Sequence, residues 1–236
     1  MASSGTYNFT LTNGEATLAA LERVQIRHPE IRQEHMLTAR REINLLFSEW
    51  SNRQVNLWEV TQLTVSLVQG TASYSIPSNV VMILDAYRSL NFGTATQIDS
   101  FMYPISRSIY ATIADKFDQA PPTTFWFDRL INPTVTMWPV PDSGGPYTFV
   151  YYGVTQVQDA NIPSGETPNI PYRWLDALVA GMAYRLARVY PHQDRPSLET
   201  DRKRDYDEAW GVAASQDTEN VPFTITPSIS TYYYRR

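Results

Sequence analysis

The chain has 236 residues, enough for one large core or two modest ones, and its 19 basic against 24 acidic side chains give a formal charge of -5. That balance excludes a nucleic-acid binder of the globally basic kind. The absence of cysteine excludes a disulfide framework, a thiolate metal site and a cysteine nucleophile, and three histidines make a histidine-rich metal cluster unexpected. No apolar run is long enough to span a bilayer, and the first fourteen residues lack both the basic start and the apolar core of a signal peptide. These features predict a soluble, unexported protein with no membrane partner. Fifteen tyrosines and six tryptophans point either to contact surfaces or to a β-rich core.

In chain order, Tyr7 to Leu11 reads as a short extended arm, and Thr12-Asn13-Gly14-Glu15 as a capping box opening a helix to about Gln25. Leu18, Leu21 and Val24 form its apolar stripe. His28-Pro29 breaks the run, and the short connection predicts that this helix and the next are antiparallel neighbours. From Gln33 to Trp58 runs a long amphipathic helix that ends in an aromatic-anchored loop; Met36, Ile43, Phe47 and Trp50, with Ala39 and Leu46, recur at three- and four-residue steps. Such a stripe requires partner helices elsewhere in the chain, because burial stabilises by roughly 1.5 to 3 kcal/mol per large side chain.

After Trp58 the apolar period changes to two. Leu63, Val65 and Leu67 lead into Gln69-Gly70-Thr71 and a return over Ala72 to Ile76, which predicts a hairpin ending at Pro77. Val80 to Leu90 is a longer β-prone run, Ser106 to Ile113 a short helix, and Thr123 to Asp128 a strand after Ala120-Pro121-Pro122. Thr134 to Trp138 and Tyr147 to Tyr152, across Ser143-Gly144-Gly145, read as another hairpin. Residues 59–160 are therefore expected to form an inserted antiparallel β-module. Pro171 stands where a first-turn proline would, opening an apolar helix through Trp174, Leu178, Met182 and Leu186 to Tyr190. Ser197 opens a last helix to about Ala214, with Tyr206, Ala209 and Trp210 inward and Arg202, Lys203, Arg204 and Glu208 outward. The fold class expected is α+β: a four-helix body from residues 1–58 and 161–218, with Met36, Ile43, Phe47, Trp50, Trp58, Trp174, Leu178, Met182 and Trp210 at its core.

Residues 219–236 differ in kind. They alternate apolar and polar residues around two prolines and have no partner strand nearby in sequence. Either the segment folds back on its own body, or it is an arm that docks on another chain through Phe223, Ile225, Ile229 and the Tyr232-Tyr233-Tyr234 run. Ordering it costs on the order of 1 to 2 kcal/mol per residue, which predicts an arm that is mobile in the free protein and fixed on a partner.

The sequence contains no GxxxxGK[ST], GxGxxG after a strand, GxSxG or HExxH. His28, His35 and His192 lack carboxylates in register and read as surface residues. The best enzymatic alternative is a carbohydrate-binding or glycoside-hydrolysing module, with a carboxylate pair drawn from Asp99, Asp128, Asp142 and Glu166. The Arg185/Arg188 and Arg202/Lys203/Arg204 clusters read either as phosphate contacts or, more simply, as exposed helix faces. Neither catalytic residues nor a cofactor or metal is expected.

The strings ARREINLLFSEWSNRQVNLW, LVQGTASYSIP followed by VVMILDAY, ISRSIYATIADK, PPTTFWFDR, VTMWPVPD and IPYRWLDALVAGMAYRLA, in that order, resemble the head-to-tail connector proteins of tailed bacteriophages. These are the adaptor, head-completion and tail-tube-A-like proteins that sit below the portal, and the similarity runs from about Leu11 to Trp210. Gly93 and Ala114-Asp115 depart from the family pattern. The resemblance implies a homo-oligomeric ring, dodecameric, in the virion neck, made in the host cytoplasm. It places the helical body against the portal ring and the β-module toward a downstream tail or nozzle protein, with double-stranded DNA passing through the lumen without sequence-specific binding. Along the portal it implies an arm comprising Phe223, Ile225, Pro227, Ile229, Tyr232, Tyr233, Tyr234, Arg235 and Arg236.

Overall fold

The computed structural model describes residues 5–6, 9–53, 59–161 and 165–216, so Trp58 and the whole arm 219–236 lie outside the described residues. It is an α+β molecule with two hydrophobic cores, one between helices and one between two β-sheets.

Helix α1 (Asn13–Arg23) begins on the capping box expected for Thr12. The Glu15 amide donates to the Thr12 hydroxyl at 3.2 Å, and the Thr12 amide donates to the Glu15 carboxylate at 2.8 Å. The Thr12 amide, and the Thr12 hydroxyl at 2.9 Å, donate to the ionised carboxylate and hold its pKa below the ordinary glutamate value. A 3-10 turn (His28–Glu30) leads to α2 (Gln33–Asn52), whose first turn is closed by the Arg32 amide donating to His35 Nδ1 at 3.0 Å. Toward the C-terminus, Pro171 is in extended conformation and precedes a 3-10 turn (Tyr172–Trp174); it is therefore not the first residue of α4 (Leu175–Val189). Helix α5 spans Leu198–Gln216.

The expected pairing of α1 with α2 is corrected by α4. Helices α1, α2 and α5 each pack on α4, and α1 approaches α2 only slightly. Small residues explain this hub, since interaxial distance is set by the side chains at the contact. Ala177, Ala180, Gly181, Ala183 and Ala187 of α4 are buried, as are Ala16 and Ala20 of α1. At Gly181 a Cβ would lie 2.9 Å from both Leu46 Cδ2 of α2 and Tyr206 Cε2 of α5, so three helices meet at a position with no room for a side chain. Ile43, Phe47, Trp50, Trp174, Leu178 and Met182 are buried in this core, with Met36 and Trp210 partly buried at its margin.

Between α2 and α4 the chain builds a sandwich. One sheet has the order β1 (Val60–Ser66), β8 (Tyr147–Thr155), β3 (Val80–Leu90), β4 (Ile98–Phe101). The other has the order β2 (Ser73–Ser75), β7 (Thr134–Trp138), β6 (Thr124–Asp128), β5 (Tyr103–Pro104). Both expected hairpins are therefore wrong: β1 pairs with β8 and β2 with β7, so each predicted pair is split between the two sheets. Gly70, at φ +74, turns the chain out of the first sheet with its amide donating to the Pro141 carbonyl at 2.9 Å. The Tyr74 hydroxyl fixes the crossing by donating toward the carbonyls of Val68 and Thr71 and accepting from the Val68 amide. True hairpins join β3 to β4 and β6 to β7. The pairing is antiparallel apart from the short parallel pair of β5 and β6. Phe125, Val135 and Met137 of one sheet meet Val80, Ala86, Phe149 and Tyr151 of the other, and burial pushes the Tyr151 phenol up to about 12. A short helix α3 (Arg107–Thr112), expected over Ser106 to Ile113 and capped by the Ser106 hydroxyl, lies beside β6.

Two polar joints tie the sandwich to the helices. Asn44 of α2 donates to the Ala160 carbonyl at 3.0 Å and accepts from its amide at 2.8 Å, clamping the segment that follows β8. Glu59, buried just before β1, accepts from the Thr155 hydroxyl at 3.0 Å and from Asn169 Nδ2 at 2.6 Å. Burial raises its pKa, against the lowering effect of the Thr155 bond.

Candidate interaction surfaces

The helical core contains an aromatic knot that joins α2, α4 and α5. The rings of Trp50, Trp174 and Trp210 are mutually 4.8 to 5.7 Å apart. Trp50 Nε1 donates to the Tyr206 hydroxyl at 3.0 Å, and that hydroxyl donates to Glu49 Oε1 at 3.3 Å. Burial pushes the Tyr206 phenol up to about 12, so it stays a neutral relay between indole and carboxylate. Glu49 is also held by Arg185 at 2.6 Å and by Arg53 one turn on, while the Arg53 guanidinium stacks 4.5 Å over Trp210. Helices α2, α4 and α5 are thus joined by charge as well as by packing.

This pairing changes the reading of the basic clusters. Arg185, a candidate phosphate contact by sequence, is committed to Glu49 and to Glu42 at 3.5 Å. Arg188 faces Glu199, and Arg202, expected to point outward, is largely enclosed with Asp205 at 3.1 Å. Lys203 and Arg204 are exposed. Sequence reasoning missed the Trp50–Tyr206 bond because the partners are 156 residues apart; an inward tyrosine and tryptophan, each with a polar tip, were its only trace.

The four candidate carboxylates sit on separate elements. Asp99 lies on the terminal strand β4, where it accepts from Gln97, and Asp128 closes β6. Asp142, between β7 and β8, accepts from the Gly144 amide at 2.9 Å and the Tyr147 hydroxyl at 3.0 Å. Glu166 belongs to the helical side, its carbonyl accepting from the Asn13 amide at 2.9 Å. The Tyr147 phenol is raised first by burial and then by Asp142, with Arg88 acting in the opposite sense. His35 packs edge-on against Tyr190 at 5.0 Å, and His192 lines a cleft beside Glu22 and Glu30. Among the described residues, no group of three His, Asp or Glu is placed to hold a metal, and no helix is long and apolar enough to cross a membrane.

Exposed apolar side chains include three groups that form local patches. At the β6–β7 turn Leu130 is 63% and Ile131 92% exposed. Around β4 stand Ile98, Phe101 and Tyr103, the last two in edge contact at 5.1 Å. On the helical body two adjoining depressions, of about 470 and 370 Å³, run between α5, α4 and α1 and share Arg23, Arg173 and Asp176. Val212 and Ala209 line one end; Leu175, Val179, Tyr172 and Phe9 line the other.

Comparison with curated proteins gives no match. A profile of the SU10 adaptor protein family matches residues 33–226, which spans α2, the sandwich, α4, α5 and the first part of the arm. The match covers more than four-fifths of the chain, and the chain belongs to the SU10 adaptor protein family, as a structural adaptor of a bacteriophage particle.

Proposed function

We propose that this adaptor forms a homo-oligomeric ring, dodecameric, at the head-to-tail junction of the virion, and that it binds the portal ring after DNA packaging. It extends the DNA channel and gives the tail its attachment platform. The observation that carries the reading is the family match, which includes the first arm anchors Phe223 and Ile225. In this reading residues 1–58 and 161–218 build the portal-side body, residues 59–160 face a downstream tail or nozzle protein, and residues 219–236 lie along the portal. The excess of acidic side chains supports a conduit role, because a strongly basic lumen would hold DNA by counterion release and oppose its passage. Synthesis in the host cytoplasm follows from assembly onto a filled head.

A ring also amplifies weak contacts. Once one arm has docked, its neighbours bind at an effective concentration set by the ring, so arms of modest affinity suffice. Removal of Phe223 to Arg236 is expected to abolish co-sedimentation with portal rings and to leave the far-ultraviolet circular dichroism of the chain unchanged. Portal binding by the truncated chain at the full-length level overturns the arm assignment.

A further inference from the structure

We propose that residues 221–231 of this same chain occupy the groove between α1, α4 and α5, so that the arm is parked on its own helical body before a partner takes it. The inference rests on the reading of residues 219–236 as a partner-binding arm, and replaces the expectation that the whole arm is mobile before docking with a weak, exchanging attachment of residues 221–231 to the body.

Connectivity comes first. Val212 lines the near end of the groove and lies four residues before the last helical residue, Gln216, about 6 Å of helix at ~1.5 Å per residue. The five residues from Gln216 to Val221 reach about 17 Å when extended, enough to reverse and return to Val212. From there Val221 to Ile229 spans about 30 Å of extended chain.

Chemistry follows the same line. Residues 221–231 contain no charged side chain, and their prolines keep them out of a helix. Val221, Phe223 and Ile225 project to one side at a period of two, matching the apolar end of the groove at Phe9, Tyr172, Leu175 and Val179; at the near end Ala209 and Val212 stand beside Asp205 and Glu208. Between those ends lies Arg23, bonded to Asp176 at 3.0 Å through one of its guanidinium nitrogens, and its remaining N–H groups face the groove as donors for a peptide backbone. Val212, Tyr172 and Phe9 are 63%, 73% and 66% exposed as the groove stands. A tethered segment meets the groove at an effective concentration far above that of any free chain. Three apolar anchors make a contact that a ring of portal sites can displace.

The chain has no cysteine, so a pair can be introduced without background. Tyr172→Cys, at the far end of the groove, with Thr226→Cys, beside the anchor Ile225, is treated with a short bismaleimide at low protein concentration. It is compared with Lys203→Cys and Thr226→Cys, in which the arm position is the same and the second site lies off the groove. We expect intrachain cross-linking to Tyr172→Cys about tenfold faster than to Lys203→Cys, and loss of that preference with Phe223→Ser and Ile229→Ser. Equal rates overturn the proposal. So does cross-linking confined to mixtures of singly substituted chains, which would assign the groove to a second copy. A truncated chain that still binds portal, together with a fast intrachain cross-link, removes the portal assignment and leaves parking intact; the converse pair of results removes parking alone.

Discussion

Two residues set how tightly the helices close. The Tyr206 hydroxyl accepts from the fully buried Trp50 indole and donates to Glu49. Tyr206→Phe leaves that indole N–H without its acceptor in a dry site, a loss of about 1 to 3 kcal/mol, visible as a lower urea midpoint with an unchanged slope. The same ring makes Gly181 irreplaceable. A Cβ at Gly181 meets Leu46 and Tyr206 at 2.9 Å, and Tyr206 is pinned by its two hydrogen bonds. Gly181→Ala is expected to destabilise the chain by about 1 to 3 kcal/mol through overpacking. That outweighs the gain of about 1 kcal/mol in helix propensity. Thermal unfolding of the two variants measures both effects.

The joint between helical and β elements carries a pH dependence. Because burial raises the Glu59 pKa above its unfolded value, the native state holds the proton more tightly, and stability falls as pH rises from the ordinary glutamate range through the raised native value. Glu59→Gln keeps an acceptor for Asn169 and a donor for Thr155 and removes the charge, so it is expected to flatten this part of the profile. Urea titrations of both chains at pH 4.5, 6 and 7.5 test it; an unchanged slope in the variant would place the dependence elsewhere. The elements themselves were largely legible in the sequence, and their partners were not. Thr12 with Glu15 marks the start of α1, and Ser106 marks α3, because caps are local chemistry. Alternation at Leu63, Val65 and Leu67 tells which side chains face a core. It leaves open whether β1 pairs with the nearby β2 or with β8, some ninety residues on. The choice of α4 as hub was hidden for a similar reason: alanine and glycine at a close contact carry little weight in an apolar stripe read by size.

At the scale of the molecule, the helical and sheet cores formed by the described residues are built from chain at or before residue 216. Truncation after Val221 or Pro222 therefore spares both cores. The portal test and the cross-linking test then report on the arm rather than on collapse of the fold. The proposal of an interaction segment rests on its two-residue alternation and its closing tyrosines and arginines, while the groove proposed to receive it is assembled from α1, α4 and α5 and has no signature in any one stretch of chain.

The hub position of α4 also orders events on the ribosome. The sandwich has all its strands once Thr155 has been made, whereas α1 and α2 wait for a helix that begins at Leu175. At roughly 5 to 20 residues per second, synthesis leaves the apolar stripes of the first two helices without their mate for many seconds. During translation the last-built half of the helical body is thus the closing piece, and the nascent N-terminus is the part most in need of a chaperone.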